Sequence, residues 1–496
     1  MNAFEVGERR QLFCTPEPID WFDGGARFQL HHPQRREVIL KTDAPWEGNM
    51  SGRYATVFRD GDICRLYYKT GHMDVAARAG GGQAAADAIP LRICYAESTD
   101  GLTWCKPELH LHEFEGSKAN NIVWIGAGDE QRGVHGFAPV KDTNPGSAPE
   151  ARYKAVGGIR HATRGDLYAM QSPDAIHWSL MQDEPIMRQG GFTRFDSQNV
   201  AFWDTICGEY RIYFREYIGG RPGQGGVRGV KTATSQDFMH WSEAEWLTYP
   251  GSPETQLYTN VIQPYFRAPE LLVGFPLRYV HRDWSPALEA LPEAGHRRQR
   301  AAVNARFGTS LTDSLFMAGS DRRTFHRWDE AFLRPGPQQQ GSWTYGDTRI
   351  ARGMLVTPSA LDGAPDELSL FALEGCWRGN SARLRRLTLR QDGFVSIQAP
   401  LSGGELLTKP LRFTGNCLSI NVATSVAGGI RVALHDASDQ PIAGFGRDDC
   451  DVILGDELAR IVTWNGNADV SALAGQAVRL RFELKDAAVF AMRFVQ

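Results

Sequence analysis

The sequence lacks features that would place it among membrane or nucleic-acid-binding proteins. No run of about 18 apolar residues occurs, which excludes a membrane-spanning helix. The charges are nearly balanced, with 54 Lys and Arg residues against 58 Asp and Glu residues. Because phosphate binding requires a basic field, we expect neither a nucleic acid nor a membrane as partner.

Cysteine pairs and an export signal are also missing. None of the eight cysteines forms a C-x-x-C pair, which excludes zinc-ribbon and thioredoxin-type sites. Scattered cysteines in a large chain are typically small buried apolar residues. The first 20 residues contain no basic stretch followed by an apolar core, so no signal peptide is predicted. We therefore expect a reduced, cytoplasmic setting, while the sequence gives no oligomeric state.

Turn-forming and aromatic residues are abundant. The chain of 496 residues contains 52 Gly and 26 Pro, together with 13 Trp, 14 Tyr and 25 Phe. This mixture favours many short strands joined by tight turns, and clefts lined with flat rings.

One motif recurs along the chain: an alternating strand, then an Asp, then an aromatic residue up to four positions later. The copies are Asp100 with Trp104, Asp174 with Trp178, Asp237 with Trp241, Asp321 with Phe325, and Asp392 with Phe394. An Asp in a turn accepts hydrogen bonds from nearby backbone N–H groups, and an aromatic ring can pack between sheets. We therefore interpret these residues as structural.

Two strand-like segments precede each copy, so each repeat contains about four strands. This pattern predicts an all-β fold, a five-bladed β-propeller over residues 50–398 followed by a β-sandwich over residues 399–496. Residues 1–49 are predicted to form an N-terminal segment that leads into the propeller. A single sandwich or barrel with coincidental turns is the alternative. The polar stretch Trp284–Arg306, with Arg297, Arg298 and Arg300, predicts a surface insertion, and the Gly/Ala-rich stretch 77–88 a surface loop.

The mouth of a propeller's channel, where the innermost strands begin, is where a ligand is expected. Carboxylates near predicted strand ends are the candidates for glycoside cleavage, which uses paired carboxyl groups: Asp196, Glu47 and Glu216. Side chains suited to holding sugar hydroxyls are Arg53, Tyr54, His135, Asn199, Asn260, Gln263 and Arg278. Each has a structural alternative, as a turn cap, a loop acid, a satisfied histidine or an ion-pair partner.

The segment Phe195–Trp203, in which Asp196 precedes a strand ending in Phe-Trp, resembles the Arg-Asp-Pro block of glycoside hydrolase family 32, the invertases and fructanases. The resemblance covers nearly the whole chain, and it implies a five-bladed propeller with a sandwich, and a glycosidase. Two departures are evident. Phe195 and Ser197 replace the Arg and Pro of that block, and the family's nucleophile and acid blocks are absent, with Glu47 and Glu254 only near their places.

The sequence therefore predicts a glycoside hydrolase acting on a small glycoside or an oligosaccharide end. Two alternatives remain: a propeller that binds carbohydrate without cleaving it, and a sialidase-like hydrolase using an arginine cluster such as Arg53, Arg278 and Arg352. No organic cofactor and no catalytic metal is predicted, because no His/Cys spacing suits zinc. A structural Ca²⁺ in the channel is compatible with its Asp, Asn and backbone oxygens.

Overall fold

The computed structural model describes residues 3–72, 74–75, 89–159, 165–188, 194–220, 225–377 and 382–496. It confirms the predicted five-bladed β-propeller and shows an additional mixed sheet built from N- and C-terminal strands. The predicted Gly/Ala-rich loop at 77–88 lies outside the described residues. No helix within these ranges is long and apolar enough to cross a membrane.

Four strands form each of the first three blades, in sequential antiparallel order. Blade one contains Arg53–Asp60, Ile63–His72, Ile89–Ser98 and Ile122–Trp124. Blade two contains His135–Lys141, Tyr153–Gly158, Leu167–Ser172 and Ser179–Leu180, with a short 3₁₀ helix at Pro149–Ala151. Blade three contains Val200–Asp204, Glu209–Ile218, Val227–Ser235 and Glu245–Trp246.

Blade five is closed by a strand from the other end of the chain. It contains Leu355–Thr357, Glu367–Glu374 and Arg383–Leu389, and its outermost strand is Gln34–Lys41. In this register Leu40 lies opposite Leu384 and Gln34 opposite Thr388. Because the first and last parts of the propeller share one sheet, the ring of blades cannot open without breaking strand hydrogen bonds.

The recurring Asp is a turn residue, as the sequence predicts. Asp100 Oδ1 accepts the backbone N–H groups of Leu102 and Thr103, both at 2.8 Å, and the hydroxyl of Ser98 at 2.8 Å. Asp174 and Asp237 accept the corresponding bonds in blades two and three. The degenerate fifth copy differs, because Asp392 is buried and binds Arg10 and Arg267 instead.

Blade four carries the insertion. Its strands are Gln263–Tyr265, Ala268–Gly274, Leu277–His281, Ser310–Gly319 and His326–Leu333, and its helices are Pro286–Glu289, Ala294–Val303 and Ala305–Thr309. The prediction that the arginines here lie on the surface is wrong for two of the three. Arg297 and Arg300 are 1% and 2% exposed, and they donate to the carbonyls of Gly308 and Phe307. These bonds hold two helices of the insertion, Ala294–Val303 and Ala305–Thr309, against each other.

The additional sheet combines both ends of the chain and has a large apolar core of its own. Its strands are Phe4–Gly7, Gln11–Leu12, Ile19–Gly24, Arg27–Leu30, Val395–Ala399, Gly404–Thr408, Leu411–Phe413, Cys417–Asp436, Asp456–Ile461 and Val478–Val495, with a 3₁₀ helix at Ser471–Leu473. Leu12, Cys14 and Leu30 pack in one cluster with Val261 and Phe394, which joins the sheet to blades four and five. All eight cysteines are free, and five are buried.

Candidate functional site

One end of the propeller channel is surrounded by a ring of side chains. Every blade contributes a residue at or shortly before the start of its innermost strand. Arg215, from the second strand of blade three, completes the set. The funnel ring is defined here as Tyr54, His135, Asp196, Arg215, Tyr258 and Arg349.

Polar contacts join the first half of the funnel ring. His135 Nε2 lies 3.0 Å from Asp196 Oδ1, and Arg215 Nη2 lies 3.4 Å from Asp196 Oδ2. The rings of Tyr54 and His135 meet edge-on with centroids 5.7 Å apart. Asp196 is thus held at both oxygens.

Cation–π contacts join the second half. The guanidinium of Arg215 lies 5.3 Å from the ring centroid of Tyr258. The guanidinium of Arg349 lies 5.4 Å from the same ring and 4.7 Å from that of Tyr54. The contacts therefore close into a circle around the channel mouth, built from residues that are distant in sequence.

Close backbone packing sets this geometry. Gly136 adopts φ +67°, and a Cβ there would lie 2.4 Å from the carbonyl oxygen of Ser197. Only glycine allows blades two and three to approach so closely, which brings His135 beside Asp196. Gln198 links the same turn to blade one, donating to the Tyr54 carbonyl at 3.0 Å.

Asp196 is the ionised carboxylate of the funnel ring. Its side chain is 45% exposed, so a ligand at the channel mouth can reach it. Burial raises the pKa of this carboxyl, but the hydrogen bond from His135 and the charges of Arg215 and Arg306 outweigh burial and hold the pKa well below its usual range. Asp196 is therefore negative across the physiological pH range and accessible to a ligand.

Tyr258 has an environment that lowers the pKa of its phenol. Burial raises the pKa of its hydroxyl and Asp196 raises it further, but Arg306, Arg215 and Arg349 lower it, and the result is a pKa of about 8. Tyr345 lies beside this phenol, and the two rings meet edge-on with centroids 5.9 Å apart. A phenol in this range can give up or take a proton near neutral pH.

Asp347 is a second carboxyl in the wall, two residues from Tyr345. It is 5% exposed and accepts the backbone N–H of Cys376 at 3.1 Å. Burial dominates over that bond and over the charge of Arg300, and it raises the pKa of Asp347 to about 7. No contact within the described residues joins its carboxyl to the funnel ring.

Two of the three predicted catalytic carboxylates lie outside the funnel ring. The Glu47 carboxylate is 0% exposed, and it accepts from the Tyr68 hydroxyl at 2.5 Å and from Lys106 Nζ at 2.9 Å. Glu216 is 23% exposed and pairs with Arg194 at 2.9 Å and with Lys231 at 3.2 Å. These contacts give both groups structural partners, and no contact within the described ranges joins either of them to Asp196.

The predicted binding residues are divided between the mouth and the interior. Tyr54 and His135 belong to the funnel ring, and Arg53 stacks on the Trp377 ring at 4.4 Å beside it. Asn199 and Asn260 are 0% exposed. Asn199 donates to carbonyls of its own turn, and Asn260 donates to the carbonyl of Tyr213 in blade three. Because both side chains are enclosed by protein, neither is open to a ligand at the mouth.

Gln263 and Arg278 lie elsewhere. Arg278 forms an ion pair with Asp313 at 2.6 Å on blade four. Gln263 lines a cavity of about 620 Å³ at the opposite end of the channel, with apolar residues such as Phe202 and Trp203. None of the described residues that line this cavity is a carboxylate. The cavity therefore lacks the carboxyl groups that acid–base cleavage of a glycoside requires.

Arg352 lies inside the channel and bridges three blades. Its guanidinium donates to the carbonyls of Pro139 at 2.9 Å and Ala201 at 3.1 Å, so it spans from blade five to blades two and three. The arginines suggested for a sialidase-like site, Arg53, Arg278 and Arg352, therefore do not come together.

Sequence reasoning missed Arg215, Arg306 and Arg349, and did not select Tyr258 and Asp347. Arg215 stands at the end of an apolar segment and Tyr258 before one, and neither position by itself marks a site residue. No local signal distinguishes these arginines from surface residues, since their meeting depends on closure of all five blades. Within the described ranges, no three His, Cys, Asp or Glu side chains gather so as to hold a metal ion.

No family model matches this sequence, and no curated protein matches it. Three solved structures that do match are a glycoside hydrolase, a thermostable family-43 glycoside hydrolase, and a fructofuranosidase from Schwanniomyces occidentalis complexed with fructosylnystose. The respective identities are 14%, 12% and 11%, and the TM-scores are 0.44, 0.42 and 0.40. They cover 72%, 71% and 93% of this chain, and 92%, 95% and 96% of theirs. The likeness is distant and concerns the fold alone.

Proposed function

We propose that this protein is a glycoside hydrolase that cleaves its substrate in the funnel ring. The observation that carries the proposal is the pairing of Asp196 with Tyr258 across Arg215. One group is held ionised and the other titrates near neutral pH, at one accessible mouth lined with aromatic rings. Titratable groups with pKa values pushed apart are typical of acid–base sites.

Asp196 is the group that faces the positive charge of the transition state. Glycoside cleavage passes through an oxocarbenium-like state at the anomeric carbon, which a nearby carboxylate stabilises or attacks. Because its pKa is so low, Asp196 cannot serve as the proton donor at neutral pH. It therefore takes the role of nucleophile or electrostatic stabiliser.

Tyr258 takes the role of proton donor to the leaving oxygen. With a pKa of about 8 its hydroxyl is mostly protonated at pH 7, yet it releases the proton readily. The ring of Tyr345 packs edge-on against the phenol and holds it in place. Tyr258 thus supplies a proton donor that is not among the carboxylates predicted from the sequence.

The test is a panel of aryl glycosides offered to the full chain and to the Asp196→Asn variant. Turnover of at least one glycoside by the parent, reduced in the variant, supports the proposal. Absence of turnover with saturable sugar binding would instead favour the non-catalytic carbohydrate-binding propeller.

A further inference from the structure

Four guanidinium groups at the funnel ring form no salt bridge with a carboxylate in the part of the chain that the structure describes. They belong to Arg53, Arg228, Arg306 and Arg349. Instead they lie over aromatic rings: Arg53 on Trp377 at 4.4 Å, Arg228 on Tyr279 at 4.2 Å, and Arg306 on Phe307 at 5.0 Å. Cation–π contacts offset only part of the cost of removing such a charge from water.

Arg349 is the arginine of the four whose buried N–H groups most clearly lack hydrogen-bond partners in the described residues. The residue is 4% exposed, and its Nε and Nη1 atoms are buried without a hydrogen-bond partner within the described ranges. Its guanidinium lies between the rings of Tyr54 and Tyr258, in the funnel ring itself. A buried guanidinium with open N–H groups is an anion-binding group without its anion.

Asp196 attracts Arg306 and pairs with Arg215, but one carboxylate cannot neutralise Arg215, Arg306 and Arg349 together. Both of its oxygens are engaged, one by His135 and the other by Arg215. Asp347, the other carboxyl of this wall, accepts a backbone N–H from Cys376 and is buried away from the mouth. The mouth therefore carries an excess of positive charge, which a negatively charged ligand can neutralise.

We propose that the mouth binds a sugar bearing a carboxylate, with that carboxylate held by Arg349 and Arg306. The identification of the ligand as a sugar rests on the function proposed above. Guanidinium groups match the two oxygens of a carboxylate. A sugar ring separates such a carboxylate from its anomeric carbon, so the negative charge of the ligand avoids Asp196 while the anomeric carbon approaches it. A compact doubly charged phosphate has no such separation and is repelled by Asp196.

The experiment is calorimetric binding of acid and neutral sugar pairs to the full chain. The pairs are D-glucuronate with D-glucose and D-galacturonate with D-galactose, and glucose 6-sulfate is included. We expect at least one acid to bind ten-fold or more tightly than its neutral partner, and the preference to weaken as salt is raised. Equal binding of acid and neutral sugars, no binding of either acid, or tighter binding of the sulfate overturns the proposal.

Arginine variants locate the carboxylate site. Arg349→Met and Arg306→Gln are expected to lose the preference for the acid, and Arg298→Gln, at an exposed position paired with Glu289, to keep it. Arg306 is half-buried at a helix of the insertion, so its variant remains informative if Arg349→Met does not fold. An acid preference that survives both funnel variants overturns the assignment.

Turnover separates this proposal from the function on which it rests. If the acids bind with the expected preference and no aryl glycoside of any charge is cleaved, the proposed hydrolase fails while the carboxylate site stands. If only neutral aryl glycosides are cleaved and the acids bind no better than neutral sugars, the hydrolase stands and the carboxylate site fails.

Discussion

Gly136 of blade two faces Ser197 of blade three so closely that a Cβ on Gly136 would lie 2.4 Å from the Ser197 carbonyl oxygen. The two neighbouring residues, His135 and Asp196, make the polar contact at the centre of the funnel ring. The distance between the two blades is therefore part of the site, and a single methyl group can change it.

Gly136→Ala is expected to destabilise the fold and to lower activity together. The methyl group must push the blades apart, and it also occupies a left-handed backbone conformation, each effect costing about 1–3 kcal/mol. Gly61→Ala is the matched control, because Gly61 has φ +63° with nothing within 4 Å of its Cβ position. Denaturant unfolding and turnover of a cleaved glycoside measure both effects. A Gly136 variant that behaves like the Gly61 variant contradicts this account.

Asp196→Asn is expected to keep the fold and to lower kcat by at least about 10²-fold, the usual scale for losing one positioned catalytic group. Asn has the same shape but no charge, so KM should change little. Asp237→Asn is the control, since Asp237 caps a turn where Asn is a good replacement. If both variants retain activity within a few-fold, Asp196 is only a turn residue.

Tyr258→Phe is expected to slow glycosides with poor leaving groups far more than activated aryl glycosides, because only the former need a proton donor. The parent should also lose kcat as pH rises through about 8, where the phenol ionises. That decline should vanish in the variant. A uniform loss across all leaving groups, with the pH profile unchanged, would point to a role in binding instead.

Lys106→Met tests the structural role assigned to Glu47. Lys106 is the cation beside this fully buried carboxylate, and removing one partner of a buried pair typically costs about 3–5 kcal/mol. We expect a large loss in unfolding free energy with kcat nearly unchanged for the folded fraction. A kcat loss as large as that of Asp196→Asn would restore Glu47 as a catalytic candidate.

The sequence predicted the structural features that recur locally in each blade. It missed the contacts that form only when the five blades close into a ring. The Asp turns, the strand pairs and the five blades follow from short motifs, because each Asp bonds to N–H groups two and three residues ahead. Asp196 was also selected, from its place before an apolar strand. In contrast, the closing strand Gln34–Lys41 pairs with residues about 350 positions away, and no local pattern marks that pairing.

The arginines of the mouth were missed for the same reason. Arg215 and Arg349 come from different blades, and Arg306 comes from a short helix within an insertion that the sequence predicts as surface. Their burial against tyrosine rings is decided by tertiary packing, which overrides the usual exposure of arginine. Glu47 shows the opposite error. The sequence predicted it as a catalytic group, but tertiary packing buries its carboxylate completely.

Asp347→Asn should change how stability depends on pH. The folded state holds the proton of this buried carboxyl up to about pH 7, whereas the unfolded chain releases it near pH 4. A raised pKa stabilises the fold fully below pH 4, and this contribution is lost as pH rises towards 7, by up to about 4 kcal/mol. The Asn side chain has no proton to release, so the variant should show a flatter profile of unfolding free energy between pH 4 and 7. Subtracting the two profiles, measured by denaturant unfolding at matched salt, isolates this residue from other titrating groups. Parallel profiles would show that Asp347 is ionised in the folded protein at the same pH as in the unfolded chain.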